Sequence, residues 1–241
     1  MQVKPYLKEI SLKRELVEDF EAYPFCIPGV RNLKTLKFHP DVTFLVGENG
    51  SGKSTLIEAI AVGLGFNPEG GTKQSQFTTT RTHSDLHRYL RLVRSFKKPG
   101  DEYFLRAESF YNLATFMEET GYLRGYGGKS LHQQSHGESF MATLLHKLTG
   151  GGLYIMDEPE AALSPSRQMA ALSAIHNLVK QESQFIIATH SPILLAYPQA
   201  CIYQLDEEGI KQVEYEQTEH YSVTRQFLNG YQQLLEILME A

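Results

Sequence analysis

The sequence predicts an α/β fold, a mostly parallel sheet flanked by helices, and three observations predict it. Short apolar runs at Val42-Thr43-Phe44-Leu45-Val46, Leu153-Tyr154-Ile155-Met156 and Gln184-Phe185-Ile186-Ile187-Ala188 have the length and side chains of buried strands. Segments of helical periodicity alternate with these runs, as parallel strands joined by crossover helices require. Glycine-rich turns adjoin two of them, at Gly47 to Gly52 and Gly150 to Gly152.

Ahead of Val42, the residues Leu33, Leu36 and Phe38 interleave with Lys34, Thr35 and Lys37, which reads as a strand leading into the turn His39-Pro40-Asp41. Beyond the first glycine-rich loop a helix is expected from Ser54 to Val62, with Leu56, Ile57, Ile60 and Ala61 on one face. Residues 68–80 read as a polar loop. Tyr89–Phe96 and Glu102–Arg106 read as an antiparallel β portion, because Pro99-Gly100 between them favours a hairpin turn. Phe110, Leu113, Ala114 and Met117 recur at helical spacing, within a small helical region at about 108–148. Helices are also expected from Ser166 to Gln181 and from Tyr221 onward. With no repeat and no linker, residues 1–241 read as a single domain.

A chain of 241 residues, 41% hydrophobic, can build one sizeable core. Its net charge of −5 excludes a protein that coats nucleic acid by overall charge alone. Cys26 and Cys201 are too few for a disulfide framework or a cysteine zinc site, and read as two free thiols. The segment MQVKPYLKEI lacks a signal-like apolar stretch. The longest apolar stretch, Ala59 to Phe66, is far shorter than the roughly 20 residues a membrane span needs. A cytoplasmic protein with no membrane span of its own is expected.

Gly47-Glu48-Asn49-Gly50-Ser51-Gly52-Lys53-Ser54 matches G-x-x-x-x-G-K-[ST], between an expected strand and an expected helix. Backbone N–H groups of such a loop and the positive end of the helix face phosphates. Gly47, Asn49, Gly50, Ser51 and Gly52 form the cradle, Lys53 reaches the β- and γ-phosphates, Ser54 ligates Mg²⁺, and Thr55 follows in the first helical turn. Asp157-Glu158 ends the second apolar run, where Asp157 would hold the metal and Glu158 would activate water as general base. ATP and Mg²⁺ are the expected cofactors.

Ser135-His136-Gly137-Glu138, by itself, reads as a helix start with Ser135 as N-cap. With the two preceding motifs it resembles the signature of ABC-type ATPases, usually Ser-Gly-Gly-Gln or Ser-Gly-Gly-Glu, with His136 in place of the first glycine. The resemblance implies a P-loop NTPase core of the ABC-ATPase type with a small helical signature subdomain. It further implies that Ser135 and Gly137 bind the γ-phosphate held by an opposite subunit, so that ATP closes a homodimer. Ala161-Ala162-Leu163-Ser164 resembles the D-loop. His190, in Ala188-Thr189-His190-Ser191, resembles the switch histidine that touches the γ-phosphate. Glu108 stands where the family carries its glutamine-loop ligand, with Gln74 and Gln76 as alternatives. Tyr23 and Phe25 are the candidates for stacking adenine.

Glu158-Pro159-Glu160 and Thr189-His190-Ser191-Pro192 resemble RecF, the OLD-family nucleases and SMC heads more than transporter ATPases. Arg31-Asn32 is similar to a pair those heads place near the phosphates. The short stretch between Glu108 and Ser135 has no sustained heptads, which implies a head without coiled-coil arms. Residues 81–98 carry Arg81, Arg88, Arg91, Arg94, Lys97 and Lys98 against Asp85, and read either as a DNA-backbone contact or as a solvated hairpin. Three roles stay open: an ATP-switched dimer in DNA repair or chromosome maintenance, the nucleotide-binding subunit of an ABC transporter, and an ATPase partner of a separate defence or regulatory effector.

Overall fold

The computed structural model describes residues 4–73, 84–109, 115 and 135–240. In chain order these form β1 (Leu7–Leu12), α1 (Pro28–Arg31), β2 (Leu36–Lys37), β3 (Val42–Gly47), α2 (Lys53–Leu64), α3 (Leu86–Tyr89), β4 (Leu90–Arg94) and β5 (Asp101–Arg106). There follow α4 (His136–Ala142), β6 (Gly152–Asp157), α5 (Pro165–Lys180), β7 (Gln184–Ala188), α6 (Pro192–Leu195), β8 (Cys201–Asp206), β9 (Gly209–Val213) and α7 (Glu219–Glu240).

The main sheet has six strands in the order β5-β6-β7-β3-β8-β9. Its first five are parallel and β9 returns antiparallel to β8. Successive side chains on a strand point to opposite faces, so apolar runs must feed two cores. Phe44, Val46, Tyr154, Met156, Phe185 and Ile187 pack on one side with Ala171, Ile175 and Leu178 of α5. Leu45, Ile155 and Ile186 pack on the other with Leu56, Ile57 and Ile60 of α2. That second core is closed by a three-stranded antiparallel sheet, β2-β1-β4, through Leu7, Ile10, Leu12 and Leu90. The fold is therefore the expected mostly parallel α/β sheet with an antiparallel portion.

Register sets the site. Leu45 of β3 and Asp157 of β6 both lie beside Ala188 at the end of β7, so the loops that leave these three strands start from one edge. Ligands of open α/β sheets sit outside such carboxyl ends. α2 runs from Lys53 to Leu64 and is followed by Gly65, whose φ of +96° supplies the left-handed cap that stops the helix.

The expected hairpin is not formed. β4 pairs antiparallel with β1, whereas β5 pairs in parallel with β6, so Pro99-Gly100 carries the chain from one sheet to the other. The reason lies in β5, where Tyr103 and Leu105 enter one core and Phe104 enters the other. A strand buried on both faces needs a place in the central sheet, which a surface hairpin cannot give. The strand expected around Leu33 to Phe38 shrinks to Leu36–Lys37, although Leu33, Leu36 and Phe38 are all buried. The helix expected at Phe110, Leu113, Ala114 and Met117, the alternatives Gln74 and Gln76, and Arg81 lie outside the described residues. Among the described residues, no helix is long and apolar enough to cross a membrane.

Candidate active site

The loop between β3 and α2 wraps the start of a helix whose first N–H groups receive no side-chain cap. Gly47, Gly50 and Gly52 all have positive φ, and two of them are sterically required as well. A Cβ on Gly47 would lie 2.3 Å from the carbonyl oxygen of Leu205, and one on Gly52 would lie 2.6 Å from Ile27 Cγ2. Lys53 Nζ donates to the carbonyl oxygens of Gly47 at 2.8 Å and Glu48 at 2.9 Å. Burial lowers its pKa, opposed by Glu158 and Asp157. The lysine is thus tethered over the loop as a cation facing two carboxylates.

Ser54 Oγ donates to Asp157 Oδ1 across 3.1 Å. Asp157 is buried at the end of β6, and desolvation pushes its carboxyl up to about 6 against the opposing pull of Arg106. A divalent cation suits this pair, since it would offset the burial of the carboxylate and take the serine hydroxyl as a second ligand. Among the described residues no cluster of three His, Cys, Asp or Glu could hold an ion unaided. An ion here would complete its shell with water and phosphate oxygens.

Glu158 has φ +50° and ψ +51°, a left-handed conformation that costs a non-glycine residue of order 1–3 kcal/mol. Its backbone N–H donates to Ala188 O at 2.9 Å, and Pro159 starts a 3₁₀ turn to Ala162 directly after it. The side chain is half-exposed, 3.6 Å from Nε2 of His190. Both His190 Nε2 and Ser51 Oγ are buried polar atoms without a hydrogen-bond partner among the described residues. Phosphate oxygens beyond the loop would satisfy both, and so these residues fit a nucleoside triphosphate.

Ser135 caps α4 through a complete capping box with Glu138, and Arg167 Nη1 donates to Ser135 Oγ at 3.1 Å. A Cβ on Gly137 would meet Arg167 Nη1 at 2.5 Å and Ala162 O at 2.7 Å, so glycine lets α4 approach the 3₁₀ turn after Glu158. Glu108 is mostly exposed and pairs with Arg106 at 3.1 Å. Arg31 pairs with Glu21 on the surface. Tyr23 is 66% exposed, whereas Phe25 is buried edge-on against Tyr89. The structure therefore gathers Lys53, Ser54, Asp157, Glu158 and His190, and keeps Ser135 and Gly137 as a separate group around Arg167.

Three parts of the site were not assigned from sequence. Glu160 is partly buried and accepts from Thr189 Oγ1 at 2.7 Å and from the backbone N–H of His190, which fixes the loop after β7. Its carboxyl is raised by desolvation, against those two bonds. Arg106 bonds Glu58 at 2.7 Å and reaches Asp157 at 3.5 Å. His220, in the first turn of α7, lies 2.9 Å from His190 Nδ1 through its own Nε2. Glu58 was detectable as the one charge in the apolar stretch of α2. No local signal marks His220, which is 30 residues beyond its partner.

Residues 17–135 match the family described as "AAA domain", and residues 139–196 match "AAA domain, putative AbiEii toxin, Type IV TA system". An uncharacterized ABC transporter ATP-binding protein of Haemophilus influenzae is 28% identical over 187 residues, covering 68% of this chain and 69% of that one. The hemin import ATP-binding protein HmuV of Bartonella henselae is 26% identical over 210 residues, covering 73% and 77%. The solved SMC head domain of Thermotoga maritima superposes with a TM-score of 0.49 at 16% identity, over 87% of this chain and 99% of that one. Around its phosphate loop the chain thus matches AAA domain models over residues 17–135 and 139–196, and it is similar to ABC ATP-binding proteins.

Proposed function

We propose that the chain binds MgATP at the β3–α2 loop, hydrolyses it slowly, and uses ATP to close two copies face to face. The supporting observation is convergence at one sheet edge: the Ser54–Asp157 bond and the Glu158–His190 approach bring cation, carboxylate, base and histidine around the phosphate loop. Mg²⁺ would polarise the terminal phosphate. Glu158 would orient and deprotonate the attacking water, a role worth about 10²–10⁴-fold. Lys53 would neutralise charge on the β- and γ-phosphates, and Glu108 would add a ligand only if it left Arg106. Ser135 and Gly137 would complete the site of the opposite copy. Glu158→Gln should keep ATP binding and lose most turnover; wild-type turnover in that variant would refute the assignment.

For the target of the cycle, the Glu158-Pro159-Glu160 and Thr189-His190-Ser191-Pro192 sequences support DNA or a DNA-associated partner. A second reading, service to a transporter permease, is favoured by the two ABC ATP-binding relatives. The second family description favours a third, an ATPase paired with a separate effector. ATPase rates measured with and without single- and double-stranded DNA separate the first from the others, since only the first expects stimulation.

A further inference from the structure

α7 brings its first turn to the phosphate loop. Glu219 and His220 line a cavity of about 310 Å³ together with Gly47, Glu48, Asn49 and Gly50. Nε2 of His220 lies 2.9 Å from Nδ1 of His190, and the two rings are tilted at 56° with centroids 5.1 Å apart. A contact of this kind holds one proton: one ring donates and the other must accept. The other nitrogen of His190, Nε2, is buried without a hydrogen-bond partner among the described residues and lies 3.6 Å from Glu158 Oε1. Around the ring stand Lys53, Glu48 and Glu158, and the His190 backbone N–H is bonded to Glu160. Because Nε2 faces a carboxylate, the favourable arrangement places a proton on it. A neutral ring can do so only if Nδ1 accepts.

We propose that His220 is a positioning residue for His190: its Nε2–H donates to His190 Nδ1 and fixes the tautomer whose Nε2–H points at Glu158 and the terminal phosphate. The proposal deepens the nucleotide-site reading and rests on it for the phosphate. The bond itself is a property of the nucleotide-free protein. With the opposite tautomer, Nε2 would present a lone pair to Glu158 and to phosphate oxygens, and it would repel both. A helix about 30 residues beyond the switch loop thereby sets which proton that loop offers.

The test reads the tautomer directly. Long-range ¹H–¹⁵N spectra of histidine-labelled, nucleotide-free protein show which ring nitrogen of His190 is protonated. Wild type and His220→Gln, whose amide can still donate, should show Nε2–H. His220→Ala should show a mixture, and His220→Glu, which can only accept, should show Nδ1–H. In MgATP turnover, His220→Ala should lower kcat by up to roughly 10²-fold, the scale of a group misplaced by about 1 Å, with KM nearly unchanged, and His220→Gln should restore it. An unchanged Nε2–H tautomer in His220→Ala overturns the proposal, as does Nδ1–H in wild type. Should the alanine variant not fold, the Gln and Glu pair still decides the matter. A wild type that shows the expected tautomers yet never hydrolyses ATP would sink the ATPase reading alone.

Discussion

Ser54 Oγ donates to Asp157 Oδ1 across 3.1 Å, which joins the first turn of α2 to the last residue of β6. The bond exists because β3 and β6 flank β7, so both strands end at the same edge of the sheet. A cation held by these two residues would displace this hydrogen bond. Lys53, one residue away, is held by the loop's own carbonyl oxygens.

Lys53→Ala should therefore weaken ATP binding without unfolding the protein. A hydrogen bond to a charged group is worth about 1.5–3 kcal/mol, so Kd for ATP should rise roughly 10- to 100-fold. Isothermal titration calorimetry with MgATP and urea unfolding check the two halves of this statement.

The parts of this site legible in the sequence are those with local form. A loop that needs positive φ at Gly50 and Gly52 must carry glycine there, and the lysine must follow at once. The runs at Val42, Leu153 and Gln184 were recognisable as strands because both of their faces are buried, which suppresses polar alternation. Pairing was less legible. The Pro99-Gly100 turn looks the same whether the next strand folds back or crosses to another sheet, and only burial of Phe104 opposite Tyr103 decides it. Arg106 and His220 escaped notice because their partners are 48 and 30 residues away, which no spacing rule reaches.

Arg106 is the cation at the centre of Glu58, Glu108 and Asp157, and its side chain is 17% exposed. Arg106→Leu leaves buried Glu58 without its ion-pair partner and Asp157 with Lys53 as its remaining counter-charge. Breaking a buried pair from one side typically costs about 3–5 kcal/mol. The midpoint of urea unfolding should fall accordingly. Asp157 would also lose the group that pulls its pKa down, so added Mg²⁺ should recover more stability in the variant than in wild type.

Acid should weaken the link between α7 and the switch loop. Burial lowers the pKa of His190 and, independently, that of His220 below the ordinary value of 6.5. The folded protein then binds fewer protons than the unfolded chain, so the stability this pair contributes is full above about pH 6.5 and is lost as pH falls toward the folded values. Asp157 and Glu160 are shifted upward and oppose this trend in the total. The comparison must therefore be wild type against a His190→Gln, His220→Gln double variant. Their difference in urea midpoint should change between pH 7.5 and pH 5.5, with wild type losing more.

Ser135 is exposed, and its hydroxyl is engaged by Arg167 and Glu138 of its own chain. In the proposed dimer it turns to the γ-phosphate of the other copy. Glu158→Gln with ATP should give a dimer by light scattering, and adding Ser135→Arg should return it to a monomer through clash at that phosphate. A monomer in both cases would leave ATP binding intact and remove ATP-gated closure.

The cationic segment after Asp85 separates the DNA reading from the others. Arg88 is exposed on α3, and Arg91, Arg94, Lys97 and Lys98 are exposed on and after β4, an edge strand of the antiparallel sheet, and not on a projecting hairpin. Arg88 is partly spent on Asp85 at 3.5 Å, an exposed pair of little worth. An acidic protein that binds duplex DNA needs such a local concentration of charge. Each phosphate contact contributes about −0.9 to the slope of log K against log salt, so four contacts across a dimer give roughly −3 to −4. Under the DNA reading, binding should be independent of sequence, strengthen with ATP in the Glu158→Gln background, and vanish in Arg88→Glu, Arg91→Glu, Lys97→Glu. Fluorescence anisotropy over a salt series measures it. Equal binding by wild type and triple variant, or none by either at low salt, leaves the edge as solvated charge and moves the effector-partner reading ahead of the DNA one.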